Sequence, residues 1–454
     1  MKTALVSSKE IADHRFRFEG NHYLNHYAYL SLQIERRKDK CAKLEDVATC
    51  FNPPVFKRQF CQDTENAVQY FQSSDVPSLE EKSKVFIYKG QAESLKLLVH
   101  KNDILVTGFG TIGNTRLVSR HQDGVCYANN VCRIQATGMS AGLIYAFMSS
   151  KYGAAQLNSN ASGSVVRYIE APGIKRTLIP LFSDIFQKEV DDLMQESARL
   201  REEAVDALEE AKGLIMDFCQ EEYATTRLKR FVSVKIKGVR STLNTRFDPT
   251  IYINKGVQWV KSIQKQSTRL GDLNVKMWYP GIFKRAYVEN GLPYLKGSSV
   301  FDVNPFKTCD HLSKARTPKL DDLWLKEGML LITCAGACGL VKMITKEYED
   351  KGAIGSPDII RLVSNDTLFT TEYIFAYLQL PPIYDYMQSL KYGSVIERFD
   401  IENIKTIPIV RPTEELSQAV TDIVKSYMAK TYRAFNCEEQ AISMVEREIE
   451  RWNK

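Results

Sequence analysis

Two stretches of the chain carry a helical stripe. Phe186, Val190, Leu193, Ser197, Leu200, Ala204, Ala207, Ala211, Leu214 and Phe218 recur at alternating spacings of four and three, the 3.5-residue period of a coiled-coil seam. Asp, Glu, Gln, Lys and Arg fill the positions between them, so one stripe is buried and the rest faces water. The spacing predicts one helix over 183–222, about 60 Å long at 1.5 Å per residue. Near the end of the chain Leu416, Val420, Ile423, Tyr427, Ala434, Cys437 and Ala441 repeat the pattern, and Ile442, Val445, Ile449 and Trp452 continue it on a shifted phase. Each stripe is too narrow to cover a domain core. The two helices are therefore expected to pack on each other, antiparallel, as a rod with a globular domain near each end; the alternative is two unrelated helices, each docked on its own domain.

Elsewhere the apolar runs are short and β-rich, and they occur twice, at a period of about 224–230 residues. Arg17-Phe18-Glu19 with Tyr23 answers Arg246-Phe247-Asp248 with Tyr252, and Lys43-Leu44-Glu45-Asp46-Val47 answers Arg269-Leu270-Gly271-Asp272-Leu273. "VFKRQF" (55–60) answers "IFKRAY" (282–287), and "YFQSSDV" (70–76) answers "YLKGSSV" (294–300). "KNDILVTGFGTIG" (101–113) answers "KEGMLLITCAGACG" (326–339) with one residue inserted. "SGSVVRYI" (162–169) answers "YGSVIERF" (392–399), and Ile179-Pro180 answers Ile407-Pro408. Matches in the same order over both halves indicate a tandem duplication.

The duplication disposes of two motifs that would otherwise indicate an enzyme. Gly108-x-Gly110-x-x-Gly113 has the spelling of a dinucleotide or S-adenosylmethionine loop, but the second copy keeps only Gly336 and Gly339. A cofactor loop needs its first glycine and a following helix whose N–H groups face the phosphate. Here "NTRLVS" and "LVKMIT" follow, which read as strands. Asn52-Pro53-Pro54-Val55 resembles the Asn-Pro-Pro-aromatic signature of adenine methylation, yet it ends in Val and aligns with Tyr279-Pro280-Gly281-Ile282; stacking on a flipped adenine calls for an aromatic ring.

A composition of 44% hydrophobic and 26% charged residues is that of an ordinary folded protein, and 454 residues suffice for two or three domains. The net charge of +6 leans toward an anionic partner. The opening MKTALVSSKEIADHRF is too polar for a secretory signal, and no run of about 18 apolar residues is present to span a bilayer. These features lead to the expectation of a cytoplasmic protein with no membrane partner. Ten cysteines lie among apolar neighbours without a C-x-x-C pair or a histidine cluster, so buried, reduced thiols are expected and no metal site. Cys334 and Cys338 read as small residues packed near a turn.

No H-E-x-x-H or G-x-x-x-x-G-K-[ST] motif is present, and none of the six histidines recurs at matching positions in the two copies. What the copies share is basic and aromatic: Lys57 and Arg58 between Phe56 and Phe60, and Lys284 and Arg285 between Phe283 and Tyr287. Lysine and arginine neutralise phosphates, and arginine reads guanine O6 and N7. Arg116 and Arg120 after the glycine turn, and Lys314, Arg316 and Lys319 in "HLSKARTPKL", are further candidates. "RLKRFVSVKIKGVR" (227–240) adds a basic strip of Arg227, Lys229, Arg230, Lys235, Lys237 and Arg240.

This order of elements resembles the specificity (S) subunits of Type I restriction–modification systems. "YPGIFKRAYVENGLPYLKGSSV" (279–300) is similar to the family's domain opening, the strand and G-x-x-G turn to its middle, and Gly-Ser-Val before Ile-Pro and a helix to its close. The resemblance implies an α/β (α+β) fold of two duplicated target-recognition domains, 1–182 and 223–411, alternating with spacer helices at 183–222 and 412–454. It also implies a non-catalytic subunit that contacts double-stranded DNA, each domain reading one half of an asymmetric bipartite target. Two methyltransferase subunits would bring S-adenosylmethionine and flip the adenine; this chain itself would hold no cofactor, and restriction or translocase subunits can join the complex. A related Type II system with a fused methyltransferase–nuclease, a self-contained methyltransferase, and a protein-binding scaffold are the alternatives.

Overall fold

The computed structural model describes residues 6–13, 26–79, 82–163, 167–220, 223, 231–240, 245–393 and 397–452. Arg17-Phe18-Glu19, Tyr23, Arg227, Lys229, Arg230, the side chain of Arg240 and the middles of both Gly-Ser-Val closings lie outside the described residues. The chain divides into two units, 1–202 with 433–454, and 203–432, so each long helix contributes one part to each unit.

In the first unit a four-stranded antiparallel sheet has the order β2 (Ala48–Phe51), β9 (Val131–Ala136), β6 (Ile104–Thr107), β7 (Thr115–Leu117). A second sheet runs β3 (Phe60–Cys61), β5 (Phe86–Tyr88), β4 (Ala67–Phe71), β8 (Cys126–Tyr127), with β4 and β8 parallel. β1 (Cys41–Lys43) pairs with β10 (Leu178–Pro180) to close the domain. Helix α1 (His26–Glu35) packs on α3 (Lys151–Asn160), and α2 (Ala141–Ser149) covers the first sheet.

The second unit repeats this plan. Its sheets are β12 (Val275–Trp278), β18 (Ile359–Ser364), β15 (Leu330–Thr333), β16 (Val341–Met343), and β14 (Asp310–Leu312), β13 (Tyr287–Leu295), β17 (Ile354–Gly355). β11 (Ser267–Arg269) closes on β19 (Pro408–Val410). Helices α5 (Lys255–Ser262), α6 (Thr371–Leu378) and α7 (Pro381–Leu390) take the places of α1, α2 and α3. Registers match as well: Phe51 lies opposite Arg133 as Trp278 lies opposite Arg361.

The central strands read as unbroken apolar runs because each of their faces meets a different core. Ile104 and Val106 join the core under the helices, while Leu105 between them joins Phe71 and Tyr127 between the sheets. Leu330 and Ile332 divide from Leu331 in the same way. The hairpin containing these strands aligns without the inserted residue inferred from the sequence. Asn102 and Gly328, with φ of 70° and 79°, hold the same left-handed position, and their N–H groups donate to the carbonyls of Val118 and Ile344, each one residue past the second strand of the hairpin. Lys101 and Lys326 match in letter only.

One interaction joins the two sheets in both units and was not anticipated. Arg133 is fully buried on β9, and its guanidinium donates to the carbonyls of Leu97 (2.9 Å), Tyr127 (2.6 Å), Ala128 (2.9 Å) and Val131. Arg361 repeats this on β18 with Gly355 (2.8 Å), Ser356 (2.8 Å) and Ile359 (2.6 Å). Burial lowers both guanidinium pKa values to about 10, so both remain charged at neutral pH.

The long helices are α4 (Asp184–Cys219) and α8 (Glu414–Trp452). Within the first unit, Phe182 at the foot of α4 packs 5.5 Å from Trp452 at the end of α8, while Ser197 Oγ donates to the Ala434 carbonyl at 2.7 Å. Within the second, Glu203 pairs with Lys430 at 3.4 Å, and Ile215 and Cys219 share a core with Val420 and Val424. Both sets have the antiparallel sense.

The stripe itself differs from the strict seam. Val190 and Leu200 are buried, and Phe186, Leu193 and Phe218 pack partly buried against their cores, but Leu214 faces solvent while Ile215 and Cys219 lie inside. Buried positions 190, 194, 197, 204, 211, 215 and 219 follow the 3.6-residue period of a nearly straight helix. A 3.5 repeat drifts about 20° per heptad from that helix, so at Leu214, four heptads past Phe186, the drift is about 80°, close to the 100° step of one residue. On α8, Val420 is buried with Val424 and Met428, and Leu416, Ile423 and Tyr427 flank them half-buried.

Replacing Arg361 with Met would leave three buried carbonyls without a donor. The expected loss is about 3 kcal/mol or more, read as a lower midpoint in chemical denaturation of the full chain. A change below about 1 kcal/mol, within the range of a net single hydrogen bond, would remove the inter-sheet role.

Candidate nucleic-acid interface

The glycine turn between β6 and β7 is a hairpin, and its geometry is the same in both units. Thr107 Oγ1 accepts from Asn114 N–H (3.0 Å) and donates to the Thr111 carbonyl (2.5 Å), as Thr333 does with Leu340 (3.0 Å) and Ala337 (2.5 Å). Gly110 and Gly336 have φ of 73° and 70°, and Gly113 and Gly339 of 85° and 87°. Only glycine adopts these values without steric cost, which is why G-x-x-G survives in both copies. Gly108 has a different role: a Cβ there would lie 2.3 Å from the Ile169 carbonyl. The turn leads into strand β7, with no helix N-terminus to hold a pyrophosphate. Asn52 is likewise structural, donating to the Asn129 carbonyl (3.3 Å) and accepting from Ala171 N–H (2.8 Å).

The shared Lys-Arg pair lies at the edge of the second sheet of each unit, and a buried tyrosine orients the arginine. Arg58 Nε donates to Tyr70 Oη at 2.6 Å with its guanidinium 5.7 Å from the ring centroid; Arg285 donates to Tyr294 at 2.7 Å and lies 5.6 Å from that ring. Both tyrosines are almost wholly buried on β4 and β13. The phenol takes Nε in hydrogen bonding and leaves the terminal nitrogens of Arg285 directed elsewhere. Its hydrogen bond also holds the Arg285 pKa above the usual value. Burial raises the Tyr70 hydroxyl pKa, so it stays protonated. Lys57 and Lys284 are exposed beside them.

The fold brings other candidates to the same edge. Ser313 N–H donates to the Ala286 carbonyl at 2.9 Å, which places the Lys314–Arg316 turn against the segment of Lys284 and Arg285 that leads into β13. Lys89 occupies the place of Lys314 in the first unit, a cation that the sequence comparison missed because its flanking residues differ. Gln91, at the place of Arg316, bonds the strand instead, donating to the Lys57 carbonyl (2.9 Å) and accepting from Gln59 N–H (3.1 Å). Lys319 is exposed three residues beyond Arg316, capping the short helix Leu320–Leu323.

Two candidates do not belong to this surface. Arg116 is buried; it donates to Gln122 Oε1 at 2.6 Å and to the carbonyls of Val76 and Ser78. Strand alternation turns it inward, and the equivalent Lys342 is buried too, 5.0 Å from the Tyr348 ring. Arg120 is fastened to the long helix: its Nε lies 3.4 Å from the buried Glu202 carboxylate, which Lys101 also meets at 3.5 Å. Lys346, its counterpart, pairs with Asp350 at 2.5 Å and lies 5.7 Å from the Tyr432 ring on α8. Both cations dock a domain on a helix.

In the second unit a cleft of about 510 Å³ opens between the basic strand and the glycine turn, lined by Arg285, Tyr287, Lys296, Thr333, Gly336 and Asp358 among others. Lys296 pairs with Asp310 at 2.7 Å. Tyr287 stands 54% exposed at the rim, as Phe60 does in the first unit at 58%. Where the second unit has Ala335 and Arg398, the first has Phe109 and Tyr168, stacked with centroids 5.5 Å apart. Frame and anchor are thus shared, and the groups around them differ. Among the described residues no group of three or more His, Cys, Asp or Glu side chains is placed to hold a metal ion, and no helix is long and apolar enough to cross a membrane.

No family model matches the sequence, and no curated protein matches it. Solved structures similar to the chain include the S subunit of a Type I restriction–modification system from M. genitalium, at 13% identity over 90% of this chain and 94% of that one, with a TM-score of 0.34. The HsdS subunit from Thermoanaerobacter tengcongensis is similar at 16% identity over 90% and 95%, with a TM-score of 0.27. The type IIG restriction endonuclease BpuSI is similar at 10% identity over 41% and 30%, with a TM-score of 0.30.

Asp302, near Lys342, makes this packing sensitive to pH. Burial raises its carboxyl pKa to about 7, with Lys342 opposing the shift. The folded chain therefore holds a proton that the unfolded chain releases near the usual value of about 3.9. Stability falls as pH rises between those values, by up to about 1.4 kcal/mol per pH unit from this group. Asp302→Asn should flatten that part of the curve in thermal unfolding between about pH 4 and 7; an unaltered slope would show that Asp302 ionises freely.

Proposed function

We propose that this chain is the DNA-specificity subunit of a restriction–modification assembly, with each unit reading one half of an asymmetric bipartite target in double-stranded DNA. The observation that carries this reading is the recurrence of the tyrosine-oriented arginine with its neighbouring lysine, on the same frame, in both units. The buried and helix-docking cations at the paired positions 116/342 and 120/346 have structural partners. By contrast Lys57, Lys284, Lys314 and Arg316 are exposed and meet no carboxylate among the described residues. Free cations along one sheet edge suit a phosphate backbone, and an oriented guanidinium beside them suits a base edge. Different rims on a common frame suit two unlike half-targets.

On this reading the chain performs no chemistry. Methyltransferase subunits docked along the long helices supply S-adenosylmethionine and extract the target adenine, and a nuclease or translocase joins where the system restricts. A related system with fused methyltransferase and nuclease would use the same recognition surface.

Modification-sensitive sequencing of the host genome with the gene present and deleted tests the reading. Loss of adenine methylation at a motif of two unlike halves around a constant gap is expected; an unchanged methylome would overturn it. In the purified assembly, replacing Lys57, Arg58, Lys284 and Arg285 together with Ala should weaken DNA binding. The slope of log affinity against log salt should fall by about one for each phosphate no longer neutralised. Undiminished binding with the same slope would favour a protein-binding scaffold.

A further inference from the structure

We propose that the cleft of the second unit reads a G·C base pair in the major groove, Arg285 donating to guanine O6 and N7 and Asp358 accepting from the N4 amino group of the paired cytosine. The inference rests on the reading of the chain as a DNA-specificity subunit and adds one base pair of its code.

The puzzle is a carboxylate in a site for a polyanion. Asp358 is exposed in the cleft and is not within 4.0 Å of a cation among the described ion pairs. One of its oxygens accepts from Ser356 Oγ at 3.3 Å; the other has no donor among the described residues. Such a group repels phosphate; besides supporting the charge of Arg285 from a distance, it favours a ligand that itself brings a donor. Base edges bring two, the amino groups of cytosine and adenine. Arg285 lines the same cleft, with Nε held by Tyr294 and its terminal fork available for two acceptors side by side. Two acceptors followed by one donor is the order that a G·C pair shows in the major groove, N7, O6, then N4. An A·T pair places its donor between the acceptors and does not match.

A comparison with the first unit supports an evolved site rather than an accident of the frame. Asn130 holds the place of Asp358, and its amide donates to Ser73 Oγ at 3.3 Å. Its oxygen is buried without a partner. In the second unit Gly297 stands where Ser73 does, so that tether is gone and the side chain at 358 is left to the cleft. The first unit therefore has the oriented arginine without the carboxylate, and its half-target carries no cytosine contact of this kind.

The test uses the tagged full chain purified from its own host with the subunits that accompany it, a pool of random-sequence duplexes, and sequencing of the bound fraction. The unsubstituted assembly should enrich a motif containing an invariant G·C pair. Asp358→Asn should keep the rest of the motif and lower the preference at that single pair about 10-fold. Arg285→Lys, which keeps the charge and loses the fork, should relax the same pair. An unchanged preference in Asp358→Asn overturns the proposal. So does a loss spread over the whole motif and reproduced by Ser356→Ala, because it would show that Asp358 holds the turn and reads nothing. Failure of the unsubstituted assembly to enrich any sequence would remove the DNA reading itself, an outcome distinct from both.

Discussion

The guanidinium groups of Arg133 and Arg361 join two sheets that would otherwise meet only through side-chain packing. Each extends from an inner strand of one sheet and takes the carbonyl that ends a strand of the other, Tyr127 for Arg133 and Gly355 for Arg361. That junction fixes the turn carrying position 130 or 358, and the turn borders the glycine hairpin. The surface proposed for recognition therefore depends on a buried charge. Carbonyl acceptors suit the site: a buried carboxylate would be a second ion to desolvate, whereas three or four oriented dipoles engage the terminal nitrogens of one cation without adding another, the buried Nε alone being left without a partner.

The legible part of this structure was its periodicity. The duplication, the strand–turn–strand around G-x-x-G and the two long helices follow from local spacing and from turns with positive φ, which the sequence carries openly. Charge was less legible. Arg116 and Arg58 are both cations near β strands, and nothing local separates the buried one from the oriented one. Strand alternation sends Arg116 inward onto Gln122, while Arg58 lies on an edge against a tyrosine twelve residues on. A signal did exist for the missed pins. Arg133 and Arg361 interrupt strongly apolar strands at the same position in both copies, and a cation that recurs inside an apolar run is either buried with partners or not in a strand.

The long helices show how a small error in period becomes a wrong residue. Alternating steps of four and three locate the stripe, and over the first turns of α4 they name its members. By Leu214 the straight helix has rotated past the heptad frame and Ile215 takes the inner position. Alanines and a serine along the middle of the stripe narrow it, so close approach replaces the knob packing that would impose supercoiling. Ser197 bonding the Ala434 backbone is the direct sign of that approach.

The paired copies also separate what the frame needs from what can vary. In the first unit Tyr145 donates to Glu438 at 2.8 Å, and Arg201 meets the same carboxylate at 2.5 Å, all on or against the helix pair. At the equivalent place in the second unit Phe375 packs against Tyr427 with ring centroids 5.6 Å apart. Burying Glu438 against Phe375 instead would leave a carboxylate without its arginine, so the segment of α8 around 438 is suited to the first unit alone. On the proposed function the same logic extends to the cleft: a shared arginine and tyrosine would supply the interaction in both units, and the differences between Ser73 and Gly297 and between Asn130 and Asp358 would give each copy its own reading.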